Sequence, residues 1–199
     1  MRVLFLLVIF CLSTQALAED LKVDSSTASD AVVEFDNPSN PQTEQLKNSE
    51  EYNFDAFVLR DIRGNELVQS DLNGKDVVLF FWSIYCSSCM DLIKEQERTR
   101  ALLATKNIQF VSVHLFEDDP QLIEKALLAV GATGKVYTVI DKTVQEKLSI
   151  QIIPSLLFFN KKQQLSVRFD GIENIETFNE MIETIMKKVS ENETQKITG

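Results

Sequence analysis

Val77-Val78-Leu79-Phe80-Phe81-Trp82-Ser83-Ile84-Tyr85-Cys86-Ser87-Ser88-Cys89 is the stretch that decides the fold. Its first six residues form a continuous apolar run of strand length, suited to a central strand buried on both faces. After Cys86 the chain reads as a helix to about Ala104. Ser87 and Ser88 are poor in a helix interior but fit a first turn. A strand that runs into Cys-x-x-Cys at a helix start places one thiol where unpaired backbone N–H groups point. Free cysteine has a pKa near ~8.5, and such a position lowers it. Cys86 is then the attacking thiol. Cys89, one turn on and partly buried, resolves the mixed disulfide.

Outward from that strand the pattern alternates. Phe57-Val58-Leu59, Gly64-Asn65 and Leu67-Val68 read as a hairpin, and Asn73-Gly74 as a turn. Ile108 to Leu115 is a second strand. Asp118-Asp119-Pro120 opens a helix that ends near Gly131. Val136 to Ile140 is a short strand, and Asp141 can cap a helix through Leu148. Ser155 to Phe159 and Leu165 to Phe169 read as an antiparallel pair. Ile172 onward forms a last amphipathic helix, with Ile175, Phe178, Ile182, Ile185 and Val189 at helical spacing. Strand–helix alternation followed by a hairpin and a helix means α/β with a mixed sheet, whose functional groups gather at the carboxyl ends of the parallel strands.

The ends of the chain differ from this. Met1-Arg2, the apolar run Val3 to Leu12 and Ala16-Leu17-Ala18 before Glu19 have the layout of a secretory signal peptide. The run is too short for a bilayer, which needs ~20 residues, so no membrane span is expected after cleavage. Cys11 lies inside the run behind Phe10, which is not the setting of a lipid-anchored cysteine. Residues 19–50 are polar and acidic and read as a flexible leader, in which Val32-Val33-Glu34-Phe35 is a short strand or docking segment. The stretch from about Glu191 reads as a frayed polar tail. The net charge of −10 argues against nucleic acid and anionic lipid as partners.

Without Cys11, two cysteines remain, Cys86 and Cys89, three residues apart. A loop that small stabilises a fold little, so in an exported chain the pair reads as reactive more than structural. Other readings stay open. Half of a zinc site would need further ligands, and His114 is the one nitrogen ligand the chain offers. Neither metal nor cofactor is expected, and His114 reads as a structural residue near a strand end. Phe80, Phe81 and Trp82 read as core, with Trp82 close enough to the cysteines to shape their surroundings. Tyr85, next to the nucleophile, reads as a rim residue for substrate. From the residues alone, Pro154 is equally an ordinary proline at a strand start.

Val78 to Cys89 resembles the active-site strand and helix start of thioredoxins. Ile150-Gln151-Ile152-Ile153-Pro154-Ser155-Leu156-Leu157-Phe158-Phe159 is similar to their second signature, a loop with a cis-proline before a strand. The helix around Pro120 to Val130 and the leading hairpin, with Ser70-Asp71-Leu72-Asn73-Gly74-Lys75, resemble the TlpA-type (ResA-like) exported thioredoxins more than the small cytosolic ones. The resemblance covers roughly residues 52 to 188. It implies a thioredoxin fold, with a mixed central sheet flanked by helices, an N-terminal hairpin and an inserted helix. The chain then divides into a signal peptide (1–18), the leader (19–50), a thioredoxin-like domain (51–190) and a polar tail (191–199).

The resemblance also implies roles. Cys86 attacks, Cys89 resolves, and Pro154 is the cis-proline facing the sulfurs. The backbone of Ile153 holds a substrate chain in strand-like pairing, Trp82 is the active-site tryptophan, and Tyr85 joins the substrate-binding set. It implies a thiol–disulfide oxidoreductase acting on protein thiols and disulfides, more as reductant than oxidant. Export to a bacterial periplasm and an upstream membrane electron donor or acceptor belong to the same expectation. The alternatives are a binding module or metallochaperone without redox turnover, or a thiol peroxidase. Two positions depart from the pattern: Phe80 stands where thioredoxins often carry a buried acid, and Leu92 where TlpA-type proteins often carry Glu.

Overall fold

The computed structural model describes residues 57–140 and 143–198. The signal segment, the leader with Val32–Phe35 and the Asp141 cap lie outside them. Among the described residues seven strands make one mixed sheet. The hairpin β1 (Val58–Asp61) and β2 (Glu66–Val68) forms one edge. Its turn is tied by the Asp61 carboxylate, which accepts the N–H groups of Arg63 and Asn65. The centre is β3 (Asp76–Trp82), β4 (Ile108–His114) and β5 (Val136–Val139), mutually parallel. β6 (Ser155–Phe159) runs antiparallel to β3, and β7 (Leu165–Asp170) antiparallel to β6, which completes the order β2-β1-β5-β4-β3-β6-β7.

Every residue of β3 is buried, as its unbroken apolar run requires. Successive side chains point to opposite faces. Val78, Phe80 and Trp82 enter one core, with Phe110, Leu92, Leu103, Ile123 and Phe178. Val77, Leu79 and Phe81 enter the other, with Val111, Val113, Leu59, Leu72 and Val144. The first core is covered by α1 (Ser87–Leu92), α2 (Gln96–Ala104), α3 (Pro120–Ala129) and α5 (Ile175–Thr198). The second is covered by the hairpin, the 3-10 turn at Gln69–Leu72 and α4 (Thr143–Lys147).

The helix expected from Cys86 to Ala104 is two helices joined by a 3-10 turn at Ile93–Glu95. Its buried face nonetheless runs on unbroken through Cys89, Leu92, Ile93, Gln96, Thr99 and Leu103. The inserted helix is α3, with Pro120 in its first turn and Asp119 accepting the Gln121 N–H at 2.9 Å. The last helix starts at Ile175 and not at Ile172. Asn174 Oδ1 accepts the Thr177 N–H at 2.9 Å, which is the N-cap that sets the start. Ile172 is buried before the helix, while Ile175, expected on the apolar face, is 37% exposed. The helix also continues to Thr198, through the polar stretch read as frayed.

Candidate active site

β3 ends at Trp82, and Ser83-Ile84-Tyr85 carries the chain into α1 with Cys86 as its extended N-cap (φ −105°, ψ 111°). Cys86 and Cys89 are joined as a disulfide, with Cα atoms 5.2 Å apart. The Cys89 N–H donates to Cys86 Sγ at 3.2 Å, and Ser88 Oγ lies 3.4 Å from the same sulfur. Cys86 is half-buried and Cys89 fully buried, so an incoming sulfur meets Cys86 first. Once the disulfide opens, a backbone donor already aimed at Sγ favours the thiolate over the thiol.

Beneath Cys89 there is hydrocarbon. Phe80 and Leu92 are fully buried in the same core as Cys89. Phe80 packs against Phe110 and Phe178, with ring centroids 6.1 and 5.4 Å away. The nearby helix charges turn outward: Asp91 pairs with Lys94 at 2.7 Å and Glu95 with Arg98 at 3.3 Å. Among the described residues no group of three or more His, Cys, Asp and Glu is placed to hold a metal ion.

His114 pairs in register with Trp82 across β3 and β4, and the two rings meet edge to face at 5.1 Å. It is fully buried. Its Nε2 accepts the Ile84 N–H at 3.2 Å, and its Nδ1 lies 2.9 Å from the Phe116 carbonyl, which fixes the neutral tautomer with the proton on Nδ1. Both ring nitrogens are thus engaged by backbone groups. Burial holds its pKa below the ordinary value, opposed by the Phe116 carbonyl and by the charge of Asp118. The Tyr85 hydroxyl donates to Asp118 Oδ1 at 2.8 Å, which holds the phenol in its protonated form and raises its pKa.

The second signature reaches the same sheet end. Phe81 pairs with Ser155, and continuing that register sets Pro154 opposite Trp82. The Ile153–Pro154 peptide is cis, as the resemblance implied. Pro154 is buried and Ile153 half-buried. Ser155 Oγ bonds Asp170 Oδ1 at 2.7 Å and also contacts the Ile152 carbonyl. Arg168 donates to Asp170 Oδ2 at 2.6 Å and to the carbonyls of Leu148 and Ser149, each at 2.7 Å.

The expected set divides here. Cys86, Cys89, Ile153 and Pro154 come to one end of the sheet, and Tyr85, 67% exposed, stands at its rim. Trp82 requires a correction. It is fully buried and its indole N–H donates to Ser112 Oγ at 2.9 Å, so it supports the site from below and offers a substrate no surface. Three residues escaped the sequence reading: Ser112, Asp118 as more than a helix-opening acid, and Arg168. Asp118 stands four residues beyond His114, and that spacing around the strand end was the available signal.

The model of the thioredoxin-like domain family matches residues 64–186. The chain belongs to the thioredoxin-like family. Among curated relatives of this thioredoxin-like chain, the thiol-disulfide oxidoreductase ResA of Halalkalibacterium halodurans is 26% identical over 132 residues, covering 63% of this chain and 73% of that one. ResA of Bacillus subtilis is 24% identical over 104 residues, 52% and 58% of the two chains. Of solved structures, StoA from Bacillus subtilis superposes with a TM-score of 0.54 at 18% identity, covering 64% of this chain and 94% of that one. The thioredoxin domain of a thiol-disulfide oxidoreductase from Bacteroides vulgatus gives 0.52 at 19% identity, covering 64% and 93%. At those identities the two structures show the fold alone. With its Cys-x-x-Cys disulfide, the thioredoxin-like chain is a thiol–disulfide oxidoreductase.

Proposed function

We propose that the protein is exported through residues 1–18 and works in the bacterial envelope as a reductant of disulfides in protein clients. One observation carries the reading: a half-buried Cys86 sulfur receives the Cys89 N–H, with Cys89 buried behind it and the cis-proline segment at the same end of the sheet. The exchange follows from that arrangement. The Cys86 thiolate attacks one sulfur of a client disulfide, an S–S bond forms as the client S–S bond breaks, and the other client sulfur leaves as thiolate. Cys89 then gives up its proton and attacks the Cys86 sulfur. The client leaves with two thiols, and Cys86–Cys89 is oxidised by two electrons. A dithiol donor, which we place upstream at the membrane, returns the pair to the reduced form.

With hydrocarbon at Phe80 and Leu92, water takes the Cys89 proton. In this reading Ile153 and Pro154 hold the client chain extended, Tyr85 borders it, and residues 51–190 form the working domain. ResA relatives named as thiol-disulfide oxidoreductases support the chemistry.

Trapping tests the proposal. Cys89→Ala is expected to leave a client on Cys86 as a stable mixed disulfide, and Cys86→Ser to trap none. A titrated potential near about −270 mV supports a reductant, whereas one near about −120 mV overturns that direction. Stoichiometric zinc or copper(I) on the reduced protein, with trapping unaffected by Cys86→Ser, would favour a metallochaperone.

A further inference from the structure

Besides the bonds that Cys86 makes into α1, four polar contacts hold the segment that carries it. Two are internal: Cys86 N–H to the Ser83 carbonyl at 3.2 Å, and Tyr85 N–H to Ser83 Oγ at 3.1 Å. Two come from beyond the segment. His114 Nε2 accepts the Ile84 N–H at 3.2 Å, and Asp118 Oδ1 accepts the Tyr85 hydroxyl at 2.8 Å. The other Asp118 oxygen, Oδ2, is buried without a hydrogen-bond partner, 3.5 Å from His114 Nε2. Two acceptors therefore face each other with no proton between them. A proton on Nε2 would give Asp118 Oδ2 its missing donor, and it would take from Ile84 its acceptor.

We propose that His114 and Asp118 are positioning residues for Cys86. Uptake of one proton at His114 Nε2 transfers its bond from the Ile84 N–H to the Asp118 carboxylate, loosening the Cys86 segment and slowing its thiol. This rests on the thiol-exchange reading of Cys86. Nδ1 keeps its proton on the Phe116 carbonyl in both states. The charged group facing the ring is Asp118, from the segment after β4. Trp82 from β3, Phe116, and Thr138 paired with His114 from β5 are neutral. Tyr85 reaches the pair only through the other Asp118 oxygen, and Cys86, two residues past Ile84, is the remaining ionisable group of the segment. Burial keeps the ring neutral until the solution is acidic, so the switch acts below the ordinary histidine range.

His114 is the single histidine of the chain, so its ring protons report its titration without assignment ambiguity. The test measures, on the reduced full chain, the pH profile of Cys86 alkylation and the NMR titration of His114. The profile is expected to show the thiol ionisation and a second, acid step whose midpoint equals that of His114. His114→Gln retains an acceptor that cannot titrate. It should lose the acid step while keeping most of the rate above neutral pH. His114→Leu removes the acceptor and should alkylate about fivefold more slowly at all pH values, the size expected for one unmet backbone N–H. Asp118→Asn should move both midpoints downward together, since the carboxylate no longer favours the imidazolium. Linkage also requires the His114 midpoint to differ between the oxidised and reduced protein.

An acid step that survives in His114→Gln, or a His114 titration with no matching step in the rate, overturns the proposal. Should His114→Leu fail to fold, the other two profiles decide. Cys86→Ser run in parallel separates the two readings: client trapping that persists there defeats the thiol reading itself, whereas trapping lost there, with a Cys86 alkylation profile indifferent to His114, defeats only the positioning role.

Discussion

The Ser83–Cys86 segment and the Ile150–Ser155 segment reach the same end of the sheet, and different chemistry holds each. The first rests on a neutral imidazole and a carboxylate, His114 and Asp118, supplied by β4 and the residues that follow it. The second is tied by a guanidinium on β7: Arg168 donates to the Leu148 and Ser149 carbonyls and to Asp170, which in turn bonds Ser155. Arginine stays charged at any working pH, whereas histidine changes charge near neutrality. The proline side is therefore a fixed clasp, and the cysteine side is one whose grip depends on protonation. A segment that pairs with a client backbone benefits from staying in place. A segment whose sulfur must react can be tuned.

The largest effect is expected on the fixed side. Arg168→Leu removes three donated hydrogen bonds from a side chain that is only 15% exposed, and it leaves the carbonyls that end α4 without their cap. Hydrogen bonds from a charged donor are worth about 1.5–3 kcal/mol each, although not additively. A loss of about 3 kcal/mol by urea denaturation is the expected outcome, with KM for a peptide disulfide rising more than kcat falls. A change in kcat alone would show that Arg168 serves the cysteines and not the client-pairing segment, and the contrast between the two sides would collapse.

Next comes the buried support under the cysteine side. Ser112→Ala deprives the Trp82 indole N–H of its acceptor in a fully buried position. An unmet buried donor costs about 1–3 kcal/mol. Urea denaturation should register that loss, and Trp82 fluorescence should change with it. Ser112→Thr, which keeps the hydroxyl, should recover part of the stability.

How much of this was legible follows from the range of each contact. The apolar run of β3, the Cys-x-x-Cys after it and the Ile153–Pro154 segment are local patterns, readable from neighbours in the chain. The same holds for the hairpin and for α3, whose Asp119-Pro120 start is written in two residues. His114 reaches Ile84 across 30 positions, Tyr85 reaches Asp118 across 33 and Arg168 reaches Leu148 across 20. Those partners are decided by sheet register, which no single segment encodes. Burial of Trp82 has the same origin: the strand pattern predicted a core residue, the family likeness suggested a surface one, and packing under β4 decided for the core. The start of α5 was local but concealed, because Asn174 is a cap only once the helix behind it is known.

The pH dependence of stability is the third and smaller contrast. Burial, the largest influence on His114, lowers its pKa from 6.5, and the Phe116 carbonyl and Asp118 only partly offset it. In the unfolded chain the ring takes a proton near 6.5, while in the native state it does so at lower pH. The unfolded state thus binds more protons in between. The stability that His114 contributes is fully present above about 6.5 and is lost as the pH falls toward the folded value. Urea midpoints for the native protein and His114→Gln, taken near neutrality and in mild acid, should show the steeper decline in the native protein. Equal declines would mean that the acid sensitivity lies elsewhere. Arg168→Leu should change the midpoints at both pH values by the same amount, since its clasp makes no contact with the histidine.

Tyr85→Phe is the smallest perturbation and the sharpest check on what Asp118 does. The hydroxyl bond it removes joins an exposed ring to a carboxylate at the rim, where substitutions change stability little. The urea midpoint should stay where it is. The removed donor, however, leaves Asp118 with neither oxygen satisfied by the segment, so the carboxylate turns more fully to His114 and the histidine midpoint should rise. A rise in the NMR titration without a change in the urea midpoint would separate the two functions of the rim, the anchoring of Tyr85 and the control of the imidazole. A fall would mean that Tyr85 and His114 do not share Asp118, and the cysteine side would then be held by two independent contacts in place of one coupled pair.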